Sequence, residues 1–122
     1  PFDRETWADF GLLLAESGKD EEAVDAFTRG LELAPTDVRL LESRASAYLR
    51  LGRVEEALRD YEALLVHNRK NLNAARGRIG CLREAKRYEE ALVALDAAIE
   101  FAPSDPVLLH ERAVVVEALK AS

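Results

Sequence analysis

The 122-residue sequence predicts an all-α fold, an α-solenoid of antiparallel helix pairs with about seven helices. Three observations predict it. A Glu-Glu-Ala run recurs at a step of 34, with its alanine at Ala23, Ala57 and Ala91, and a period of that length marks a repeated supersecondary unit. Asp3, Asp37, Asn71 and Asp105 share the same step. Each precedes a stretch whose first free N–H groups a short side-chain oxygen can accept. Between these markers, apolar residues recur three and four apart, which is helix periodicity rather than strand alternation. No single pair can bury its apolar face alone, so stability must come from stacking.

The elements follow in order. Helix 4–17 carries Trp7, Phe10 and Leu14, and Gly18 interrupts the pattern as a turn would. Helix 20–33 carries Ala23, Phe27 and Leu31. Helix 38–51 opens after Asp37, and Gly52 separates it from helix 54–67, built on Ala57 and Tyr61. Helix 72–85 opens after Asn71, and helix 88–101 repeats the second-helix pattern with Ala91 and Leu95. Pro106 suits the first position of helix 106–119, where no N–H is needed. Loops of a few residues make neighbouring helices antiparallel. The expected organisation is a single domain over 1–122, with units 4–37, 38–71 and 72–105 and a partial unit 106–122. A chain that begins at Pro1 and stops mid-unit is expected to be a fragment of a longer protein.

The order Trp7-x-x-Phe10-Gly11-x-x-Leu14, then Ala23-x-x-x-Phe27, then Pro35, resembles a tetratricopeptide repeat. The second unit matches at Ala45, Tyr48, Gly52, Ala57 and Tyr61, and the third at Leu82, Tyr88, Ala91, Ile99 and Pro103. Leu109, Ala113 and Val116 begin a fourth, giving three full repeats plus one first helix. The resemblance implies a right-handed solenoid. Arg69 replaces the expected proline, Lys86 the turn glycine, and Ile79 a small residue, so local packing near the third unit should depart from the family pattern.

Little in the chain suggests catalysis. Adjacent helical residues point about 100° apart, so Glu21 and Glu22 cannot converge on one substrate. All three Glu pairs fall in a first helical turn, where negative charge complements the dipole. His67 and His110 lie in different units without the ligand spacing of a zinc site. Cys81 aligns by the 34 step with Leu13, Ala47 and Val115, and reads as a buried thiol. Trp7 occupies a packing slot of the repeat. No phosphate-cradling glycine loop and no Ser–His–Asp order is present. The expectation is therefore no enzyme, no cofactor and no metal. A net charge of −6 argues against nucleic acid, and no apolar run approaches the ~20 residues that span a bilayer. A lone cysteine fits a reducing, cytoplasmic setting.

The resemblance also implies that the first helices line a concave groove for peptides or partner helices. Carried over, that face comprises Glu5, Ala8, Asp9, Leu12 and Glu16, then Arg39, Glu42, Ser43, Ser46, Leu49 and Arg50. It continues with Asn73, Arg76, Gly77, Gly80, Arg83 and Glu84, and ends with Val107, His110, Glu111 and Val114. One known groove clamps chaperone C-terminal carboxylates with Lys, Asn, Asn, Lys and Arg. The matching places here hold Ala8, Leu12, Ser43, Asn73 and Gly77, so that clamp is absent.

The expected function is a protein-interaction scaffold, with a peptide or helix across the groove. Arg39, Arg50, Arg76 and Arg83 outnumber Glu42 and Glu84 mid-groove, which points to an acidic ligand gripped by planar arginine forks. Ser43, Ser46, Gly77 and Gly80 are expected to leave room for its backbone. The alternative is a structural module whose repeats stack between chains. Arg44, Arg78 and Arg112 form another 34-step series, replacing an apolar residue of the motif, where Phe10 remains in the first unit. Their stems are expected to pack between units while their guanidinium groups reach a carboxylate or carbonyl. The seventh helix is apolar on more than one side, through Val107, Leu108, Leu109, Val114, Val115, Val116 and Leu119. Self-association through 106–119, broken by lysine at Val115 and Leu119, is the corresponding expectation.

Overall fold

The computed structural model describes residues 2–121. Seven helices follow one another: α1 (Arg4–Glu16), α2 (Asp20–Leu33), α3 (Val38–Arg50), α4 (Val54–His67), α5 (Leu72–Glu84), α6 (Tyr88–Phe101) and α7 (Pro106–Ala121). No strand occurs among the described residues. Each helix packs on its predecessor and its successor, and α1 also reaches α3. This is the nearest-neighbour contact pattern of a solenoid.

The two kinds of helix start differently. First helices are capped by side chains: Asp3 accepts from the Thr6 N–H at 2.8 Å, Asp37 from Leu40 at 3.0 Å, and Asn71 from Ala74 at 3.1 Å. Asp105 accepts from both Val107 and Leu108, at 2.9 and 3.2 Å. Second helices lack a side-chain cap and carry carboxylates in the first turn instead, the Glu pairs among them. Glu21 also pairs with Arg53 of the next unit at 2.5 Å, and Glu55 with Arg87 at 3.2 Å. Both are rungs between consecutive units, 32 residues apart.

The turns inside the units need a left-handed residue. Gly18 and Gly52 supply it with φ of 79° and 77°, while Lys86 takes φ 61° with a side chain attached. Ala23, Ala45, Ala57 and Ala91 are fully buried, the short side chains that let helices approach closely. Gly11 goes further: a methyl there would meet the Phe27 ring at 2.4 Å. Cys81 is buried as its register requires, and burial pushes its thiol up to about 11.

The open face of α7 differs from the expected one. Leu108 and Val115 are buried, occupying the register of Leu40 and Ala47, which are buried in the second unit. Leu109 occupies the register of Leu41 yet is 47% exposed against 4%, because no eighth helix follows it among the described residues. Val115 therefore belongs to the core, and lysine there would disrupt the domain before it reached any interface.

Candidate functional site

The first helices α1 and α3 frame a depression of about 450 Å³. Leu12, Ala15 and Glu16 come from α1, Ser43, Ser46 and Arg50 from α3, and Phe27 of α2 supplies an apolar floor. The floor exists because Gly11 admits the Phe27 ring flat against α1. An apolar base edged by two hydroxyls and a guanidinium is suited to one ligand side chain and its flanking backbone polar groups. Of the expected groove residues, the structure gathers Ser43, Ser46 and Arg50 here, beside Leu12 and Glu16.

The arginines of the expected basic strip are all engaged within the chain. Arg39 pairs with Asp9 at 2.9 Å, and Arg50 with Asp20 at 2.9 Å. Arg76 hydrogen-bonds Asp105, and Arg83 lies 3.2 Å from Glu111. Burial raises the Asp105 carboxyl, but the Leu108 N–H and the Arg76 guanidinium outweigh it and hold the group below its ordinary value. These pairs join unit two to unit one and unit three to α7. At the seam between units two and three the same registers hold Ser43, Asn73, Gly77 and Glu84, so no equivalent pair can form. Among the described residues, Glu5, Glu16, Glu42 and Glu84 have no ion-pair partner.

Other expected positions separate. Asn73 and His110 are exposed and lie apart from the depression. Gly80 faces open space, but a methyl on Gly77 would meet the Tyr61 ring at 2.4 Å. The room at Gly77 is thus filled by the domain itself, through the Tyr61 ring reaching across from unit two. Phe27 as a floor residue was not anticipated; its only sequence signal was the neighbouring Gly11 of the motif. The arginine pairings were equally invisible, since their partners lie 28 to 30 residues away on a different helix.

Family models described as tetratricopeptide repeat match residues 5–37 and 42–106. The chain belongs to the tetratricopeptide repeat family. This tetratricopeptide repeat chain is 31% identical over 105 residues to human RNA polymerase II-associated protein 3, covering 85% of the chain and 16% of that protein. It is 33% identical over 82 residues to the peroxisomal targeting signal receptor of Saccharomyces cerevisiae, covering 67% and 13% respectively. The chain therefore spans about one sixth or less of the length of these two relatives. Among solved structures, it is similar to the first repeat domain of Spaghetti (RPAP3) bound to an HSP90 peptide, SRMEEVD. There the TM-score is 0.84 at 28% identity, with 98% of this chain and 94% of that one covered. Those comparisons establish a helical repeat solenoid of three units and one further first helix.

Proposed function

We propose that this domain is a protein-interaction scaffold rather than a catalyst, holding a segment of another protein across the groove of its first helices. The observation that carries this reading is the depression with an apolar Phe27–Leu12 base rimmed by Ser43, Ser46 and Arg50. The solved relative that holds an acidic peptide supports it. The finer reading is an acidic segment whose carboxylates exchange with Asp20 and Asp9 for the Arg50 and Arg39 forks. Such an exchange favours the ligand where its carboxylate grips the fork through two contacts, because Asp9 and Asp20 each hold their arginine through one. With Ala8, Leu12, Ser43, Asn73 and Gly77 at the clamp positions, an internal segment anchored by an apolar side chain fits better than a free C-terminus.

A second reading rests on the charge balance of the same groove. Its arginines are compensated, whereas Glu5, Glu16, Glu42 and Glu84 are not, and that excess favours a basic segment. Selection from a displayed library of random peptides separates the two. Binders to the wild-type domain should lose affinity for Ser46→Trp, which plugs the depression, and Arg50→Ala should weaken acidic binders by about 1–2 kcal/mol. A basic consensus that tightens on Arg50→Ala and weakens on Glu42→Lys would replace the acidic reading. Selected peptides indifferent to Ser46→Trp would remove the groove from the proposal.

A further inference from the structure

The 34-residue register sets Arg44, Arg78 and Arg112 in equivalent places, yet the structure completes only two of them. Arg44 reaches between α2 and α4: its Nε and Nη2 donate to the two Asp60 oxygens at 2.9 and 2.6 Å, and its Nη1 donates to the Thr28 hydroxyl at 3.2 Å. Arg112 pairs with Asp96 of the preceding second helix at 2.8 Å. Among the described residues, Arg78 has neither kind of partner. The residue in the Asp60 register is Ala94, and the residue in the Asp96 register is Glu62, which makes no ion pair with it. The Arg78 Nε is buried and makes no hydrogen bond among the described residues. Arg76 and Arg83 share a buried, unbonded Nε, but each of those side chains is paired with a carboxylate.

Arg78 also borders an open cleft. A cleft of about 890 Å³ lies between α4, α5 and α6, with Arg78 in its lining. It exists because α6 is small where α4 is large: Ala98 stands in the register of the fully buried Leu64. Leu65, Ala98 and Phe101 give it an apolar wall, and Arg69 and Lys70 stand at the loop side. With Glu62 and Glu100 included, its charged lining is three cations against two anions, in a chain of net charge −6. The volume lies within the ~300–1,000 Å³ of ligand sites. None of its lining residues is shared with the groove depression.

We infer that this cleft is a second binding site, taking an organic carboxylate whose charged end pairs with Arg78 as Asp60 pairs with Arg44 and whose apolar body lies on Leu65, Ala98 and Phe101. The unpaired guanidinium explains the chemical class: a planar fork held in a partly apolar cleft selects a carboxylate over a neutral isostere. Two sources present that chemistry, a free aliphatic acid and an acidic side chain flanked by apolar residues on another protein.

The Arg78 Nε–Hε resonance of the labelled domain, assigned by its loss in Arg78→Met, reads the site directly. Hexanoate represents the free acid, and the blocked peptide acetyl-Leu-Glu-Leu-amide represents the side chain. At least one should shift that resonance saturably below ~10 mM, and whichever does so identifies the source. Hexanamide should bind at least ~10-fold more weakly, the loss of one charge-assisted contact. Ala94→Asp restores the carboxylate of the preceding unit, so it should move the resonance without ligand and abolish the probe response. In Arg78→Met the probe should no longer shift the backbone amides of Leu65, Ala98 and Phe101, which it shifts in the wild type, while the domain stays folded. The inference is overturned if neither probe moves the resonance, if the probes act equally on Ala94→Asp, or if they shift the cleft-lining backbone amides equally in Arg78→Met. It is also overturned if Glu62→Gln alone moves the resonance as far as saturating probe does, because Glu62 would then be the partner.

Discussion

Lys86 holds the left-handed turn that glycine holds at residues 18 and 52. An L-residue there costs roughly 1–2 kcal/mol in sterics, partly offset by the greater unfolded-state entropy of glycine. Lys86→Gly should therefore stabilise the domain by about 0.5–1 kcal/mol in urea denaturation; an unchanged midpoint would contradict the strain. Two helical glycines give opposite expectations. Gly80→Ala meets open space and should stabilise by about 1 kcal/mol. Gly77→Ala meets the Tyr61 ring and should destabilise. Cys81 adds a pH dependence. Its thiol is raised from 9.0 to about 11 by burial. The unfolded chain thus loses this proton first, and the contribution is complete below pH 9 and lost as pH rises through 11. At pH 9.5, iodoacetamide should alkylate the urea-unfolded chain quickly and the native chain at least ~10-fold more slowly. Equal rates would mean the thiol is accessible.

At the scale of helices, the interior of the repeat contrasts two arginines. Asp60 is 4% exposed and bound by Arg44, so Arg44→Met strands a buried carboxylate and should destabilise by about 3–5 kcal/mol. Arg78→Met removes an arginine without a bonded partner and should change stability by under ~1 kcal/mol. A paired thermal melt of the two variants checks this, and equal losses would show that packing alone sets both. The helix boundaries were legible because local rules decide them: a short oxygen before each first helix, a Glu pair in each second, and three-and-four spacing between. The four caps and the Glu pairs sit where that reading put them. Arginine partners were not legible, because pairing depends on which faces meet across units. The Arg53–Glu21 and Arg87–Glu55 rungs share the 34 step and carried a signal that helix-start reasoning did not use. Val115 was misplaced on the open face because apolar content says nothing about which side of a terminal helix is covered.

For the whole molecule, the two ends of the stack and the groove make separate predictions. Leu109 is exposed on α7, in the register of Leu41 and Ala75, which are buried in the second and third units. The expected result is concentration-dependent association in sedimentation velocity, reduced by Leu109→Lys with the helical signal intact; a monomer at all concentrations contradicts it. The solenoid itself was legible from one period, because repetition fixes an architecture that any single unit leaves open. The groove was legible only as a face. Its depression depends on the Gly11–Phe27 contact, and its charge depends on pairings that span units. The central claim, that partners lie along the first helices, is tested most directly by amide shift mapping with a library-selected peptide. The account predicts perturbations concentrated at Leu12, Ser43, Ser46 and Arg50 and their neighbours on α1 and α3. Perturbations confined to the second helices α2, α4 and α6 would contradict it.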